Sequence, residues 1–146
     1  MNTGRYKWTK IAESVTEFQF AANNMTTIQV ADKTITIARK DKDLFACANK
    51  CPHAGGIISE GFMDAAGNLV CPLHRYRFNP RNGRNVSGEG YFLKHWPIEQ
   101  RADGIYIGME EKGLFGFWSK KIIESIWLQT KISYFCSPER ENKGFL

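Results

Sequence analysis

Hydrophobic and polar residues alternate along several stretches of the N-terminal two thirds of the chain, and this two-residue period predicts β-strands. Residues 26–30 and 33–37 are rich in β-branched side chains and are separated by a two-residue turn, which predicts a hairpin. A polar turn then leads into residues 44–48, a third predicted strand, and residues 6–11 have the pattern of an edge strand. These elements predict an antiparallel meander that ends just before Cys51.

A second set of short strands is predicted around turn signals. Residues 61–64 and 68–71 flank Gly67 and predict a short hairpin, which would return the chain close to where it left. The dipeptide Asp103-Gly104 is also a strong hairpin signal. Further strand-like stretches lie at residues 75–78, 91–96, 98–100 and 105–107. The fold class that this pattern predicts is all-β.

The C-terminal part has a different period. From Leu114 onward the apolar residues recur at a spacing closer to 3.6 than to 2, which predicts a helix over residues 117–133, followed by a polar tail at 137–146. We therefore expect one domain at residues 1–112 and a C-terminal extension at 113–146. Packing of the extension against the β domain is favoured over contact with a partner helix or a membrane surface.

The composition is that of a globular protein, since 42% of the 146 residues are hydrophobic. The net charge of +5 is a modest excess, and no RNP, helix-turn-helix or basic-region pattern occurs, so nucleic-acid binding is not expected. No apolar run is long enough for a transmembrane segment, and the N-terminal stretch lacks the apolar core of a signal peptide. We therefore expect a cytoplasmic location.

Two short segments concentrate side chains that bind metals. Cys51 and His53 form a C-x-H pair, and after seventeen intervening residues Cys71 and His74 form a C-x2-H pair. In a chain that is not exported, cysteines mixed with histidines at short spacing indicate a metal site rather than disulfides. Two thiolates and two imidazoles can hold a tetrahedral zinc ion or an iron–sulfur cluster, and the ligand set alone leaves both open.

Spacing and charge separate the two candidates in part. Zinc sites usually group like ligands as C-x2-4-C and H-x3-5-H, whereas each segment here carries one sulfur and one nitrogen. An oxidised cluster with two thiolates and two neutral imidazoles is uncharged, so it accepts an electron more easily than an all-cysteine cluster. Pro52 and Pro72 stiffen the segments, and Gly55 and Gly56 allow backbone N–H groups to point at sulfur.

The segments Cys51-Pro52-His53-Ala54-Gly55-Gly56 and Cys71-Pro72-Leu73-His74 resemble the two ligand loops of Rieske [2Fe–2S] proteins. Over about residues 6–109 the chain is similar to Rieske-type ferredoxins and to nitrite reductase small subunits. The resemblance implies a Rieske-like antiparallel β-sandwich or barrel with a small cluster-binding subdomain at about residues 49–80. It also implies one [2Fe–2S] cluster per chain, with Cys51 and Cys71 on one iron and His53 and His74 on the other.

The chain departs from the respiratory branch of this family. Respiratory-complex Rieske proteins carry an extra cysteine in each loop, and these form a disulfide, whereas this chain has Gly56 and Leu73 at those positions. Those proteins also have serine two residues after the second histidine, where this chain has Tyr76. The sequence thus resembles the lower-potential ferredoxin branch. Many ferredoxins of that branch have glycine after the second histidine, where this chain has Arg75.

The function that this resemblance implies is one-electron transfer from a flavin-dependent reductase to a terminal oxygenase or reductase, without catalytic residues. One alternative is a small subunit of a multi-component reductase such as nitrite reductase, and another is a zinc-stabilised interaction module. A terminal oxygenase would need a second iron site of two histidines and a carboxylate, and after His74 only His95 remains.

The remaining polar residues have plainer interpretations. His95, beside Trp96, is interpreted as a packing residue of a strand. Cys47 is interpreted as a core thiol and Cys136 as a free surface thiol. A positive run follows the second histidine, and it is interpreted either as a solvated face or as a docking patch for an acidic partner; it consists of Arg75, Arg77, Arg81 and Arg84.

Overall fold

The computed structural model describes residues 5–111, which form three antiparallel β-sheets. The first sheet contains, in spatial order, β1 (Tyr6–Ala12), β10 (Gly104–Glu110) and β9 (Ile98–Arg101). The second contains β2 (Met25–Val30), β3 (Lys33–Lys40), β4 (Asp43–Ala48) and β8 (His95–Trp96). The third contains β5 (Phe62–Met63), β6 (Leu69–Val70) and β7 (Arg77–Phe78). Short 3-10 helices lie at Val15–Glu17 and Ile58–Glu60. The all-β prediction is confirmed.

The β2-β3-β4 meander has the order that the alternating pattern predicts. The β2–β3 hairpin pairs Val30 with Lys33 across a two-residue turn, and Ala31 in that turn adopts a φ of 54°. Such a positive φ matches the twist of two-residue hairpins. The β3–β4 pair continues up to Ala48, three residues before Cys51. The meander therefore delivers the first ligand segment from the end of a paired strand.

Strand β4 is buried on both faces, which explains its nearly continuous apolar sequence. Leu44 and Ala46 belong to a core between the first and second sheets, together with Ile35, Ile37, Trp96, Ile105 and Ile107. Phe45 and Cys47 point to the opposite side, into a second core that contains Leu69, Phe78, Leu93, Cys51 and Cys71. Because successive strand residues point to opposite faces, one strand supports both cores. The second core is the floor of the candidate site.

Four predicted strands are shorter in the structure than the sequence pattern indicates, and for two of them, at residues 75–78 and 91–96, the surrounding loops explain the difference. Of residues 91–96 only His95–Trp96 is a strand, because Phe92 makes an isolated bridge with Arg84 and the Leu93 N–H donates to the Gly83 carbonyl. Similarly, β7 covers only the second half of residues 75–78, since the first half belongs to a tight loop. Local loop hydrogen bonds outcompete the sheet in both places.

The predicted helix at 117–133, the polar tail at 137–146 and Cys136 lie outside the described residues. The division into a domain at 1–112 and an extension at 113–146 stays a prediction. Within residues 5–111 no helix has the length and apolar character that a membrane crossing requires.

Burial of Cys47 predicts a specific alkaline sensitivity. Its side chain is fully buried, and burial raises the pKa of the thiol from 9.0 to about 12. Because the unfolded chain loses this proton first, Cys47 costs stability as the pH rises from 9 towards 12, by up to about 4 kcal/mol across that range. The difference in free energy of unfolding between wild type and Cys47→Ala should therefore shrink over that range in urea titrations. A difference that does not change with pH would contradict this account.

Candidate metal centre

Each of the two predicted ligand segments is a loop closed by two backbone hydrogen bonds, and these bonds lie at equivalent positions in both loops. In the first loop, the Cys51 N–H donates to the Gly56 carbonyl at 2.8 Å, and the Gly55 N–H donates to the Cys51 carbonyl at 2.9 Å. In the second loop, the Cys71 N–H donates to the Tyr76 carbonyl at 2.9 Å, and the Arg75 N–H donates to the Cys71 carbonyl at 3.0 Å. Each loop thus spans six residues that begin with the cysteine.

Each loop is also closed at its base by an antiparallel pair at matching positions. Lys50 pairs with Ile57 below the first loop, and Val70 pairs with Arg77 below the second. The short β5–β6 hairpin between the loops is present as predicted, and it brings the second loop back beside the first. The segment between the two loops therefore folds as a short hairpin, as its turn signal predicted.

Asn49 fixes the start of the first loop to the second sheet. Its side-chain oxygen accepts a hydrogen bond from the buried Thr36 hydroxyl at 2.8 Å and one from the Ser59 N–H at 3.3 Å. Its carbonyl accepts a hydrogen bond from the Ile58 N–H at 2.8 Å. Because these bonds satisfy buried polar groups, they hold the loop in one place relative to β3.

The fifth residue of each loop adopts the left-handed backbone conformation. Gly55 has a φ of 72° and Arg75 a φ of 61°. Glycine adopts such a φ freely, whereas a residue with a Cβ is strained there by roughly 1–2 kcal/mol. Arginine after the second histidine therefore keeps the same loop shape as the first loop, at an energetic cost.

The two cysteines lie together at the floor of the site. Cys51 and Cys71 are both buried in the second core. Burial raises the pKa of the Cys51 thiol, and the neighbouring Cys71 raises it further, whereas the backbone N–H groups of His53 and Ala54 act in the opposite direction. A metal that binds these sulfurs displaces their protons, since thiolates are the ligands.

The rings of the two histidines lie against each other. Their ring centroids are 4.6 Å apart; His53 is half-buried and His74 is exposed. The Nδ1 atom of His53 is buried and has no hydrogen-bond partner among residues 5–111. A buried polar atom without a partner is costly, and coordination to a metal would satisfy it. The donor set and this atom fit a bound metal group.

Two tyrosines surround His53, and neither was predicted as a site residue. The His53 ring lies 4.5 Å from that of Tyr76 and 5.0 Å from that of Tyr91, and the two tyrosine rings stack at 5.8 Å. The pKa of Tyr76 is raised by burial and by the nearby charge of Glu89. Tyr91 carries no motif, so only its spatial contact identifies it.

The geometry bears on the choice between zinc and a cluster. A structural zinc site needs four donors around one ion at about 2.0–2.3 Å. In the part of the chain that the structure describes, no three His, Cys, Asp or Glu side chains are arranged around a common point to hold a single ion. The four side chains instead come as two pairs, the neighbouring sulfurs of Cys51 and Cys71 and the adjacent rings of His53 and His74.

Position 56 of the first loop lies against the second loop. A Cβ on Gly56 would lie 2.6 Å from the Cys71 sulfur and 3.0 Å from the Leu73 Cβ. The two loops thus touch at the positions where the respiratory branch has its disulfide. Cys47, Cys51 and Cys71 are free thiols.

The structure separates the four arginines that follow His74. Arg81 bonds Asp43 at 2.8 Å and lies over the Phe45 ring, near the start of β4 and therefore a strand length from the first ligand loop. Arg77 approaches Asp64 at 4.0 Å. Arg75 and Arg84 are exposed and form no ion pair within residues 5–111. The run is therefore not one continuous patch.

His95 is a packing residue, as its sequence context predicted. It pairs with Cys47 between β4 and β8, and its ring packs against that of Phe92 at 5.7 Å. Partial burial lowers the pKa of His95.

An all-β fold with two matched Cys/His loops defines the class of protein. The chain belongs to the Rieske [2Fe-2S] domain family, whose model matches residues 7–91. The family binds a [2Fe–2S] cluster, which is therefore the cofactor of this chain.

The sequence relatives include the ferredoxin subunit of a dioxygenase. The 3-phenylpropionate/cinnamic acid dioxygenase ferredoxin subunit of Photorhabdus laumondii is 30% identical over 79 residues, which is 53% of this chain and 75% of that protein. Two other curated relatives are much longer, and the chain matches segments that make up 22% and 27% of their length.

Solved structures share the fold at lower identity. A protein described as the small subunit of an NADH-dependent nitrite reductase from Mycobacterium tuberculosis superposes with a TM-score of 0.60 at 17% identity, over 71% of this chain and 96% of that one. A chain from a complex of reduced oxygenase and oxidized ferredoxin in carbazole 1,9a-dioxygenase superposes with a TM-score of 0.59 at 22% identity, over 72% of this chain and 95% of that one. The Rieske-like architecture is thereby confirmed.

Proposed function

We propose that the protein is a one-electron carrier whose cluster is held by Cys51 and Cys71 on one iron and by His53 and His74 on the other. The observation that carries this proposal is the pair of equivalent loops, which bring two sulfurs and two imidazoles to one end of the domain. When bound, a cluster with this ligand set takes up and releases one electron at a higher potential than an all-cysteine cluster.

The residues around the four ligands have two tasks in this function. The buried core beneath Cys51 and Cys71 keeps water away from the sulfurs. Tyr76 and Tyr91 cover one side of His53, whereas His74 stays exposed. A partner protein can therefore approach His74 closely. Electron transfer between proteins requires no substrate pocket.

The proposed partners are a flavin-dependent reductase as donor and a terminal oxygenase as acceptor. The likeness to a dioxygenase ferredoxin subunit supports this pairing, and one structural neighbour comes from a complex of an oxygenase with a ferredoxin. The free cysteines fit a reducing compartment, so we also propose a cytoplasmic location.

Anaerobically purified protein tests this function. We expect two irons and two sulfides per chain, a visible spectrum that bleaches with limiting NADH only when a flavin-dependent reductase is added, and recovery of colour when an oxidised terminal oxygenase is added to accept the electron. Iron analysis, absorbance and EPR measure these steps. A colourless protein with stoichiometric zinc would exclude the carrier.

A second candidate is a small subunit of a multi-component reductase, which the fold likeness to a nitrite reductase small subunit favours. Stable co-purification with a large catalytic chain would support that function, because a diffusing carrier separates from its partners. The sequence identity to a ferredoxin subunit favours the diffusing carrier.

A further inference from the structure

We propose that the exposed face beside His74 is a docking surface for an acidic redox protein. Three arginines supply its charge, Arg75, Arg77 and Arg84, and four exposed apolar side chains supply its contact area, Leu73, Val86, Tyr91 and Phe92. This inference rests on the proposed function, since the partner would be the protein that exchanges an electron with the cluster.

Most of the positive charge of this surface is not paired with an acid within residues 5–111. Between residues 75 and 92 the chain has four arginines and a single acid, Glu89. Arg81 is bound by Asp43, which leaves three cations on the docking surface. Of these, Arg77 reaches Asp64 only at 4.0 Å, and Arg75 and Arg84 have no ion pair within the described chain. Unpaired cations beside a redox site attract carboxylates on a partner.

Sheet geometry places two of the arginines on one face. The Val86 N–H donates to the Arg77 carbonyl, and the Asn79 N–H donates to the Arg84 carbonyl, so residues 84–86 run antiparallel to 77–79. Phe78 and Asn85 form the pair between them, and Phe78 points into the core. Arg77, Val86 and Arg84 therefore lie on the opposite, outward face.

The apolar part of the surface is concentrated here. Four of the six large hydrophobic side chains that are exposed in residues 5–111 belong to it: Leu73 at 55%, Val86 at 45%, Tyr91 at 38% and Phe92 at 53%. Tyr91 contacts His53, and Leu73 precedes His74. Exposed apolar groups mixed with arginines are typical of protein interfaces, where tyrosine and arginine are enriched.

The backbone at Arg75 supports a role for its side chain. The equivalent residue of the first loop is Gly55, which adopts its φ of 72° without strain, whereas Arg75 holds a φ of 61°. Arginine is therefore a poorer choice than glycine for the loop itself. A strained residue next to a functional site indicates that its side chain is used.

Electron transfer to haem proteins of opposite charge tests this surface. Dithionite-reduced holoprotein is mixed in a stopped-flow instrument with cytochrome b5, whose surface is acidic, or with cytochrome c, whose surface is basic. The variants are Arg75→Glu/Arg84→Glu and, as a control with the same change in net charge, Lys42→Glu/Arg101→Glu. Lys42 and Arg101 are exposed, and they lie in the turn before β4 and at the end of β9, where the Gln100 side chain donates to the Lys42 carbonyl; the first ligand loop follows the opposite end of β4.

We expect the wild-type rate constant with cytochrome b5 to fall as salt is added. At low ionic strength the arginine double variant should be slower by roughly tenfold or more, and the gap should close at high salt. With cytochrome c the same variant should react faster. The control should keep the wild-type rate with both acceptors. Voltammetry of each variant allows the rates to be compared at equal driving force.

Arg75→Gly provides a second measurement. It removes the charge and relieves the strained backbone, so it should slow reduction of cytochrome b5 while the protein melts at the wild-type temperature or above.

Three results would overturn the proposal. The arginine variant and the control could react equally, which would leave net charge as the cause. The wild type could bind sedimenting vesicles of phosphatidylcholine and phosphatidylserine, with binding lost in the arginine variant, which would assign the surface to a membrane. If reduced wild-type protein transferred electrons to neither acceptor, the carrier function itself would fail, and the docking surface with it.

Discussion

Replacing Cys71 by alanine is expected to abolish the [2Fe–2S] cluster and to leave a colourless protein. The Cys71 sulfur lies in the second core beside Cys51, and the two are the sulfur ligands proposed for one iron. An iron that loses one of its protein ligands is not held, because clusters depend on four thiolate or imidazole ligands. Absorbance, iron and sulfide analysis, and EPR of the reduced sample measure the loss.

Cys47→Ala is the matched control for this substitution. Cys47 and Cys71 are 0% and 1% exposed and belong to the same core, so both variants lose a buried sulfur of equal size. The control should keep its cluster at wild-type stoichiometry. Circular dichroism of both variants shows whether the fold persists. Retention of a full cluster in Cys71→Ala, or its loss in Cys47→Ala, would refute the ligand assignment.

Gly56→Ala is expected to release the cluster on the order of tenfold faster than wild type. The added Cβ would meet the Cys71 sulfur at 2.6 Å and the Leu73 Cβ at 3.0 Å, so the second loop must shift. Groups that orient metal ligands typically change affinity by about 10-fold to 100-fold when altered. Loss of visible absorbance in the presence of an iron chelator gives the rate.

The neighbouring Gly55 separates the effect of space from that of backbone strain. A Cβ on Gly55 meets no atom within 4 Å, but its φ of 72° disfavours alanine by roughly 1–2 kcal/mol. Gly55→Ala should therefore lower the melting temperature while the rate of cluster release changes less than in Gly56→Ala. Gly90→Ala, which has open space and no positive φ, should match wild type in both measurements. Equal release from all three variants would contradict the steric explanation.

Local sequence pattern was sufficient to predict the meander and the ligand hairpin. The β-branched alternation of residues 26–37 and the turn at Gly67 depend on neighbours in the chain, and both features are present. The pairing of β1 with β10 could not be predicted in the same way, because it joins residues such as Trp8 and Gly108 that are far apart in sequence. Long-range pairing is decided by packing of the whole domain.

The candidate site was predictable to the extent that it depends on chemical identity. Cys51, His53, Cys71 and His74 stand out by residue type and spacing, and the structure pairs the two sulfurs with each other and the two rings with each other. Tyr91 was missed because its contact with His53 arises from how a later loop folds back. The separation of Arg81 from the other three arginines was missed for a similar reason, since Asp43, which binds Arg81, lies in a turn that is distant in sequence.

The matched closure of the two loops has a consequence for the construction of new proteins. Each loop of six residues is held by its own backbone, and its base needs only one antiparallel pair. Such a unit can be transplanted into a scaffold that supplies this pair and an anchor for the start of the loop, as Asn49 does through Thr36 and Ser59. Two adjacent strand ends with an apolar floor and such an anchor would receive two copies. A designed iron site with both sulfur and nitrogen ligands can thus be built by grafting one short loop at two positions.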